Sequence, residues 1–580
     1  MPLPDFKKIP PVTIYEFKNV DETEPLHIPE LAPNRKITDT GFLRFFLVSV
    51  IFAICFVSVT SSIGTDYNRF LHGHDKCGDT CGIDNTPRAN INCSGKDLAG
   101  KPIMKYRFTG KKNGSKWIMK NFMVPDECVE GCDRPNRLLF HRCIPVEDLP
   151  RHRKANQIIT FVEFVHDFER SIIVLILPMC LTALLLAICL LFCLYFNAHH
   201  TVFGILSVSV LGLFGFTTYV WYWFVKDSDK KQLLYVGIIA TITIILLCIF
   251  ICYFYDRYGL VMTMFTEATE AIFRTPYLTV VPVVTLLVLY LTATAAVFLG
   301  FLISSNQYIR KVEKFPTVHE YVLTPLAKSA LTYLGFTFIW LKGLSNGCQC
   351  IVVAGPVSAH YFQNLNEKSD DRYPVLTSCY VLFRYHIGTV AFGSMFITIL
   401  TVVRVVLQFF QDHFNCTCVR NCVQCCLVCL ESVTQYLTKR AYIQTAMHGE
   451  PLYKSGVRAA RLLWANLMDA VALDTVADFI IVCAILLVIL AALGEAVIIH
   501  EATDLQLDHY WTVLLIGAAG CGVVVYFFMQ VINVAVETIF ICFCEDKLMN
   551  DGNTKPYFMS ERLKTLISAA REATKLREQS

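Results

Sequence analysis

The sequence predicts an all-α polytopic membrane protein of about ten transmembrane helices, with a disulfide-rich extracellular loop after the first. Three observations predict this class. Only 17% of the 580 residues are charged, against roughly 25% in soluble domains. Apolar runs of helix-spanning length recur along the chain. One polar, cysteine-rich segment separates the first of these runs from the second.

Nine apolar runs are clear candidates for membrane-spanning helices. Each is long enough to cross the hydrocarbon core as a helix, and all are too long and too evenly apolar to be barrel strands. They lie near 42–63, 171–196, 201–225, 233–255, 277–304, 328–354, 387–410, 476–499 and 511–535.

The polar segment 64–168 sets the predicted orientation. An even number of cysteines together with glycosylation sequons at Asn92 and Asn113 indicates a disulfide-bonded extracellular loop; the alternative is a cytosolic loop with free thiols. Sequence does not decide among the 15 possible pairings. The six cysteines are Cys77, Cys81, Cys93, Cys128, Cys132 and Cys143.

An extracellular loop after the first span places the preceding residues in the cytosol. Segment 1–41 is polar with mixed charge, so we expect no signal peptide. The basic residues of 546–580 favour a cytosolic tail. Both ends inside require an even number of spans, and 419–445 is the candidate for the tenth. It contains charged residues, so we expect it to be packed inside the bundle or to be short in the membrane with a cytosolic extension.

The cysteines from Cys416 to Cys429 leave three alternatives open. Their spacing resembles that of metal ligands, but their apolar neighbours do not suit a zinc site. Acylation of thiols beside the membrane and simple packing are the others.

Two amphipathic helices are predicted within the core segment 169–545, near 259–275 and 456–475. Each precedes a span and is expected to lie on the inner membrane surface. For the first, the alternative is a solvated helix that does not touch lipid.

Other functional classes find little support. A net charge of +3 is too small to indicate nucleic-acid binding. Phosphate-loop, zinc-protease and nucleophile-elbow motifs are absent from the sequence. We therefore expect neither an enzyme nor a bound cofactor or metal, and the oligomeric state is left open.

The sixth span contains the richest set of polar and aromatic residues. Aromatic ring faces attract quaternary ammonium groups, so Phe338, Trp340, Tyr361 and Phe362 are candidate cation contacts. The alternative is ordinary packing or lipid contact.

Three charged residues are predicted near or within bilayer depth: Lys342, Arg404 and Glu537. A pairing of Glu537 with Arg404 or Lys342 would compensate charge, and Glu537 could instead carry a coupling proton. Snorkelling at span ends is the alternative for the two basic residues.

Four segments together resemble the choline transporter-like family of solute carriers. They are Arg384–Ser394 (RYHIGTVAFGS), Ala354–Val357 (AGPV) with Tyr361 and Phe362, Asp474–Phe479 (DTVADF), and Phe540–Asp546 (FICFCED) with Asn550–Gly552. His360 departs from the family pattern, which has an aromatic residue there, and Glu545–Asp546 carries an extra charge.

The resemblance implies ten spans with cytosolic termini and sodium-independent transport of choline, with ethanolamine as a further substrate and proton exchange as the coupling. It implies a small organic cation and the lipid bilayer as partners, and the plasma membrane as the location, with mitochondrial or other internal membranes as alternatives. Another organic cation or cofactor such as a thiamine derivative, or a channel or receptor that does not transport, remains an alternative function.

Overall fold

The architecture is a bundle of long helices with a small disulfide-bonded β-structure at one end. A computed structural model of the protein describes residues 35–62, 66–88, 91, 93–109, 112–113, 116–117, 122–133, 137–139, 141–144, 167–226, 231–254, 258–312, 315–363, 374–409, 417–503, 507, 509–550, 555–566 and 568.

The structure describes thirteen α-helices, of which α2 belongs to the disulfide-bonded segment and the others form the bundle. Short π-helical turns at Ile172–Ile176 and Leu382–His386 precede α3 and α9. The helices are α1 (Thr40–Ser62), α2 (Tyr67–His72), α3 (Leu177–Lys226), α4 (Lys231–Phe254), α5 (Tyr258–Arg274), α6 (Val281–Ser304), α7 (Pro325–Phe362), α8 (Pro374–Val381), α9 (Ile387–Phe409), α10 (Thr417–His448), α11 (Leu452–Ala465), α12 (Leu467–Thr503) and α13 (Tyr510–Met549).

Seven described helices are long and apolar enough to cross a membrane. One of them, Asp167–Lys226, has 60 residues and is interrupted by non-helical backbone at Asn197. Its two parts correspond to the predicted spans 171–196 and 201–225. The all-α polytopic class is therefore confirmed, whereas the number of ten crossings remains a prediction.

The described secondary structure also includes a 3-10 helix, Pro276–Thr279, before α6, and eight strands. The segment after α1 has a four-stranded sheet in the order β4-β1-β6-β5 and a small β2–β3 hairpin, and β7 and β8 form an antiparallel hairpin between α6 and α7. The strands are β1 (Ile103–Thr109), β2 (Lys112–Asn113), β3 (Lys116–Trp117), β4 (Phe122–Val129), β5 (Arg137–Leu139), β6 (Arg142–Ile144), β7 (Gln307–Val312) and β8 (Phe315–Leu323).

All six cysteines of the predicted extracellular loop are joined in disulfides. The pairs are Cys77–Cys93, Cys81–Cys128 and Cys132–Cys143. The disulfide-bonded character of this segment is thus confirmed. Of the two sequons, Asn113 lies in β2 and Asn92 lies outside the described residues.

The bundle has two opposite faces, which we name by what they carry. The disulfide face carries the described residues between 66 and 144. The β7–β8 hairpin joins it there, because the backbone N–H of His319 donates to Lys76 O (2.9 Å) and Tyr321 Oη donates to Gly78 O (2.8 Å). Helix α6 therefore ends, and α7 begins, at the disulfide face.

The terminal face carries residues 35–39 and 555–566. Helix α7 ends there, with the ring of Phe362 packed 5.7 Å from that of Phe558. Helix α10 also ends there, since Arg35 Nη2 donates to Ala446 O (2.7 Å). Helices α7 and α10 are not among the seven helices that are long and apolar enough to cross a membrane. Both nevertheless reach the terminal face.

Helix α5 lies at the terminal face with its apolar side turned inward. Val261, Met264, Phe265, Ala268 and Ile272 are all at most 1% exposed and belong to the main core. The structure therefore places the predicted lipid-facing side against protein. The polar side meets the 555–566 segment, where Ser560 Oγ donates to Glu267 (2.7 Å). Burial raises the pKa of Glu267, and this hydrogen bond opposes the shift.

The second predicted surface segment, 456–475, is divided between two helices. Helix α11 ends at Ala465, and α12 begins at Leu467 and continues across the bundle. Tyr453 and Trp464 of α11 are 77% and 76% exposed.

Candidate functional site

Trp340 is buried within α7 and faces α1 and α9. Its indole N–H lies 3.2 Å from Ala391 O and 3.1 Å from Ser394 Oγ of α9. The ring of Phe46 meets the indole edge-on at 5.2 Å. Because the indole is only 2% exposed, its surface is taken up by protein contacts in this conformation.

The other aromatic candidates do not gather around Trp340. Tyr361 and Phe362 pack against each other at the terminal face, and Tyr361 Oη donates to Asp546 Oδ2 (3.2 Å). At a rise of ~1.5 Å per residue, Tyr361 lies about 30 Å along α7 from Trp340. Phe338 is half-buried two residues before Trp340. The structure thus separates the four aromatic residues into two groups too distant to share one small cation.

The predicted charges do meet partners, but different ones. Arg404 Nε lies 2.6 Å from Glu431 Oε2 of α10. Glu537 Oε1 lies 2.8 Å from Lys439 Nζ, also of α10. The predicted pairing of Glu537 with Arg404 or Lys342 is therefore wrong, because α10 supplies both partners. Lys342 is exposed, and no described carboxylate lies within ion-pair distance of it.

A second pair extends the Lys439–Glu537 contact across three helices. Arg440 Nη2 lies 2.6 Å from Asp474 Oδ1 and 3.8 Å from Glu537 Oε1. Tyr436 Oη donates to Asp474 Oδ2 (2.7 Å), and the Arg440 guanidinium stacks 3.5 Å from the Tyr436 ring. We call Tyr436, Lys439, Arg440, Asp474 and Glu537 the ion-pair seam, since they join α10, α12 and α13.

The seam leaves one carboxylate oxygen available. Glu537 Oε2 is buried and has no hydrogen-bond partner among the described residues, and the same holds for Gln349 Oε1 and both side-chain polar atoms of Gln444. Asp478, one turn beyond Asp474, is exposed and interacts with Asn533 of α13. A buried unpaired acceptor beside charged groups favours a bound polar or cationic ligand.

Sequence reasoning missed the basic half of the seam, although a signal was present. Glu431, Gln435 and Lys439 recur at intervals of four, which places them on one side of a helix. Such a polar stripe in a candidate span indicates a side facing other helices rather than lipid. The charges of 419–445 predicted a helix packed inside the bundle, but they were not matched to the acidic residues of other helices.

The described part of the Cys416–Cys429 cluster lies far from the terminal face, and Cys416 lies outside the described residues. Cys422, Cys425, Cys426 and Cys429 are unpaired and exposed on α10, and Cys429 is about 28 Å along the helix from His448. Among the described residues, no group of three or more His, Cys, Asp or Glu side chains is arranged to hold a metal ion.

Residues Arg384–Ser394 form a packing centre between the terminal face and the bundle core. Thr38 backbone N–H donates to Tyr385 O (2.9 Å), and Thr389 Oγ1 donates to Asp39 Oδ2 (2.7 Å). A Cβ on Gly388 would lie 2.7 Å from Asp39 O, so only glycine permits this approach.

Comparison with known proteins decides the family. The family model described as plasma-membrane choline transporter matches residues 238–548, which is more than half of the chain. The chain belongs to the plasma-membrane choline transporter family. The matched region includes the whole ion-pair seam and the Arg384–Ser394 packing centre, and the resemblance inferred from the motifs is confirmed.

Curated relatives carry related names. Choline transporter-like protein 2 of Pongo abelii is 27% identical over 379 residues, covering 57% of this chain and 52% of the relative. Choline transporter-like protein 1 of Mus musculus is 26% identical over 469 residues, covering 75% of this chain and 71% of the relative. The chain spans about half the length of the curated type 2 relatives it matches.

Proposed function

We propose that this family member transports choline or a choline-like organic cation across a membrane by alternating access. The single observation that carries the proposal is the ion-pair seam, which lies inside the family-matched region and retains one unpartnered carboxylate oxygen, Glu537 Oε2. The names of the relatives support choline as the substrate.

The chemistry of the seam suits a monovalent cation. A quaternary ammonium has no N–H to donate, so attraction to it comes from charge and from aromatic faces. Lys439 and Arg440 together balance Asp474 and Glu537. An arriving cation would therefore compete with Lys439 for Glu537, and that exchange would couple binding to a rearrangement between α10 and α13.

Finer features of the activity are part of the same proposal. We propose that transport is independent of sodium and coupled to proton exchange. Choline is the proposed main substrate, and ethanolamine is a further one. The proposed location is the plasma membrane, where the transporter supplies phospholipid synthesis. Glu537 is the proposed residue for charge compensation. We propose that Arg404 holds Glu431 in place and that Lys342 lies on the lipid-facing side of α7.

Uptake into proteoliposomes tests the proposal. We expect saturable uptake of radiolabelled choline that excess unlabelled choline competes away, that persists when sodium is replaced, and that increases with an opposing proton gradient. Glu537→Gln should lower uptake by roughly tenfold or more, equivalent to about 1.4 kcal/mol. Lys342→Gln, which removes an exposed charge from α7, is the matched control and should behave as the wild type.

A double variant separates transport from folding. Glu537→Gln alone leaves Lys439 uncompensated, which costs about 3–5 kcal/mol in a buried pair. Glu537→Gln with Lys439→Met removes both charges and should restore thermal stability without restoring uptake. A stable double variant that takes up choline at the wild-type rate would remove Glu537 from the mechanism, and absence of any saturable choline uptake by the wild type would contradict the transport proposal.

A further inference from the structure

A second carboxylate lies inside the bundle on the side of the disulfide face. Glu495 belongs to α12. Along the axis of that helix it lies about 12 Å before the end at Thr503 and about 30 Å after Asp474 of the seam. Its side chain is half-buried. Thr182 Oγ1 of α3 donates to Glu495 Oε2 at 2.5 Å.

Glu495 differs from the other carboxylates buried in the bundle. Most of the others are matched by basic side chains or by several hydrogen-bond donors, as Asp546 is by Tyr361, Asn550 and the backbone of Phe558 and Met559. Asp167, before α3, accepts from the backbone N–H of His509 (2.7 Å). No Lys or Arg of the described residues lies within ion-pair distance of Glu495. The carboxylates paired with a Lys, Arg or His side chain are Glu431, Asp474, Glu537 and Glu545.

Small and sulfur-containing side chains surround Glu495 where α3, α12 and α13 meet. Helix α13 approaches α3 closely, since a Cβ on Gly517 would lie 2.8 Å from Met179 Sδ. Cys521 Sγ of α13 donates to Met179 O of α3 (3.3 Å), and a Cβ on Gly520 of α13 would lie 3.4 Å from Cys180 Sγ of α3. Glu495 acts electrostatically on Cys521. A carboxylate, a hydroxyl and two thiols therefore converge where α3, α12 and α13 meet.

We propose that Glu495 and Thr182 form an outer cation site for an organic monocation on its way between the disulfide face and the ion-pair seam. A carboxylate between apolar helices that no described Lys or Arg accompanies is costly, and a mobile organic cation supplies the missing charge. The Thr182 hydroxyl holds the carboxylate in place, and its lone pairs can accept from a hydroxylated cation such as choline. This inference rests on the proposed transport of organic cations.

The native thiol of Cys180 provides a reporter for the charge of this site. A methanethiosulfonate reagent transfers its thioalkyl group to the cysteine sulfur, with release of methanesulfinate and a proton. We would compare the 2-(trimethylammonium)ethyl reagent, which resembles choline, with the neutral 2-hydroxyethyl reagent on the full-length protein. The rate of each modification at Cys180 would be followed by peptide mass spectrometry, with Cys180→Ser to assign the signal.

We expect the cationic reagent to react faster at Cys180 relative to the neutral one, and Glu495→Gln to lower this ratio roughly five- to tenfold, because the Glu495 carboxylate attracts a trimethylammonium group to this junction of helices. Thr182→Val should lower it less. Glu501→Gln, at the exposed end of the same helix, is the matched control and should leave the ratio unchanged. An unchanged rate with the neutral reagent shows that each variant is folded.

Two results would overturn the outer site: no preference for the cationic reagent in the wild type, or a preference that persists in Glu495→Gln. Added choline should slow the modification of Cys180. If Glu495→Gln abolishes the preference but choline gives no protection, the outer cation site stands and choline is contradicted as its ligand, so the two proposals fail separately.

Discussion

At the scale of single residues, Trp340 shows how an aromatic side chain in a membrane can be fully used for packing. Its N–H is engaged by α9, and its ring contacts Phe46, Phe45 and Phe336. A cation needs a free ring face within about 6 Å. In this conformation, therefore, the indole is placed to hold α1, α7 and α9 together.

Substitution of Trp340 separates packing from cation binding. Trp340→Ala should destabilise the protein by about 3–5 kcal/mol, because it leaves a cavity, and surface expression should fall with uptake. Trp340→Phe loses only the indole hydrogen bonds, worth about 1 kcal/mol, and should retain uptake. Thermal unfolding in detergent and surface biotinylation measure the two effects. Normal expression of Trp340→Ala with lost choline uptake would assign Trp340 to the substrate site.

At the scale of helices, α7, α9 and α10 approach closely through small residues. Tyr442 of α10 donates its hydroxyl to Val390 O of α9 (3.1 Å). Gly347 of α7 packs against both residues, and Gly343 faces Ser394 of α9. Close approach of backbones at glycine is a common way for membrane helices to gain packing energy. This contact positions α10, and with it the seam residues Lys439 and Arg440.

Two glycines of α7 provide a matched test of this contact. A Cβ on Gly347 would lie 2.6 Å from Val390 Cγ1 and 2.9 Å from Tyr442 Cε2, whereas a Cβ on Gly335 meets nothing within 4 Å. Gly347→Ala should therefore cost about 1–3 kcal/mol through overpacking, and Gly335→Ala should be neutral or slightly stabilising. Thermal unfolding of both variants in the same detergent measures the difference. Equal stabilities would contradict the close approach of α7 to α9 and α10.

The sequence patterns predicted the positions of the helices well. They predicted the contacts between residues of different helices less well. Apolar run length is a local property, so α1, α4, α6 and α12 could be located by composition. The partner of Glu537 depends on the register between α10 and α13, which no local pattern encodes. The Phe338–Trp340 and Tyr361–Phe362 groups were joined because they share a helix, although helical rise separates them by about 30 Å.

At the scale of the whole molecule, the terminal face is closed by segments from both ends of the described chain. Arg35 donates to the carbonyl oxygens of Thr445, Ala446 and Met447, at the end of α10. Burial lowers the pKa of Arg35 to about 10, so the guanidinium stays charged at neutral pH. The next residue of α10, His448, contacts Glu545 of α13 (3.0 Å). These contacts hold the described residues of the terminal face together, and the proposed alternating access would require them to open.

Loss of Arg35 should loosen these contacts. Cys542 and Cys544 lie beneath them, 0% and 3% exposed, so their alkylation by maleimide reports opening. In Arg35→Gln, the carbonyl oxygens at the end of α10 lose a charged donor worth about 1.5–3 kcal/mol. If opening is in rapid equilibrium, alkylation should accelerate roughly tenfold or more. Arg44→Gln, which removes an exposed charge from α1, should leave the rate unchanged. Equal alkylation rates in Arg35→Gln and the wild type, measured by mass spectrometry, would mean that Arg35 does not hold the face closed.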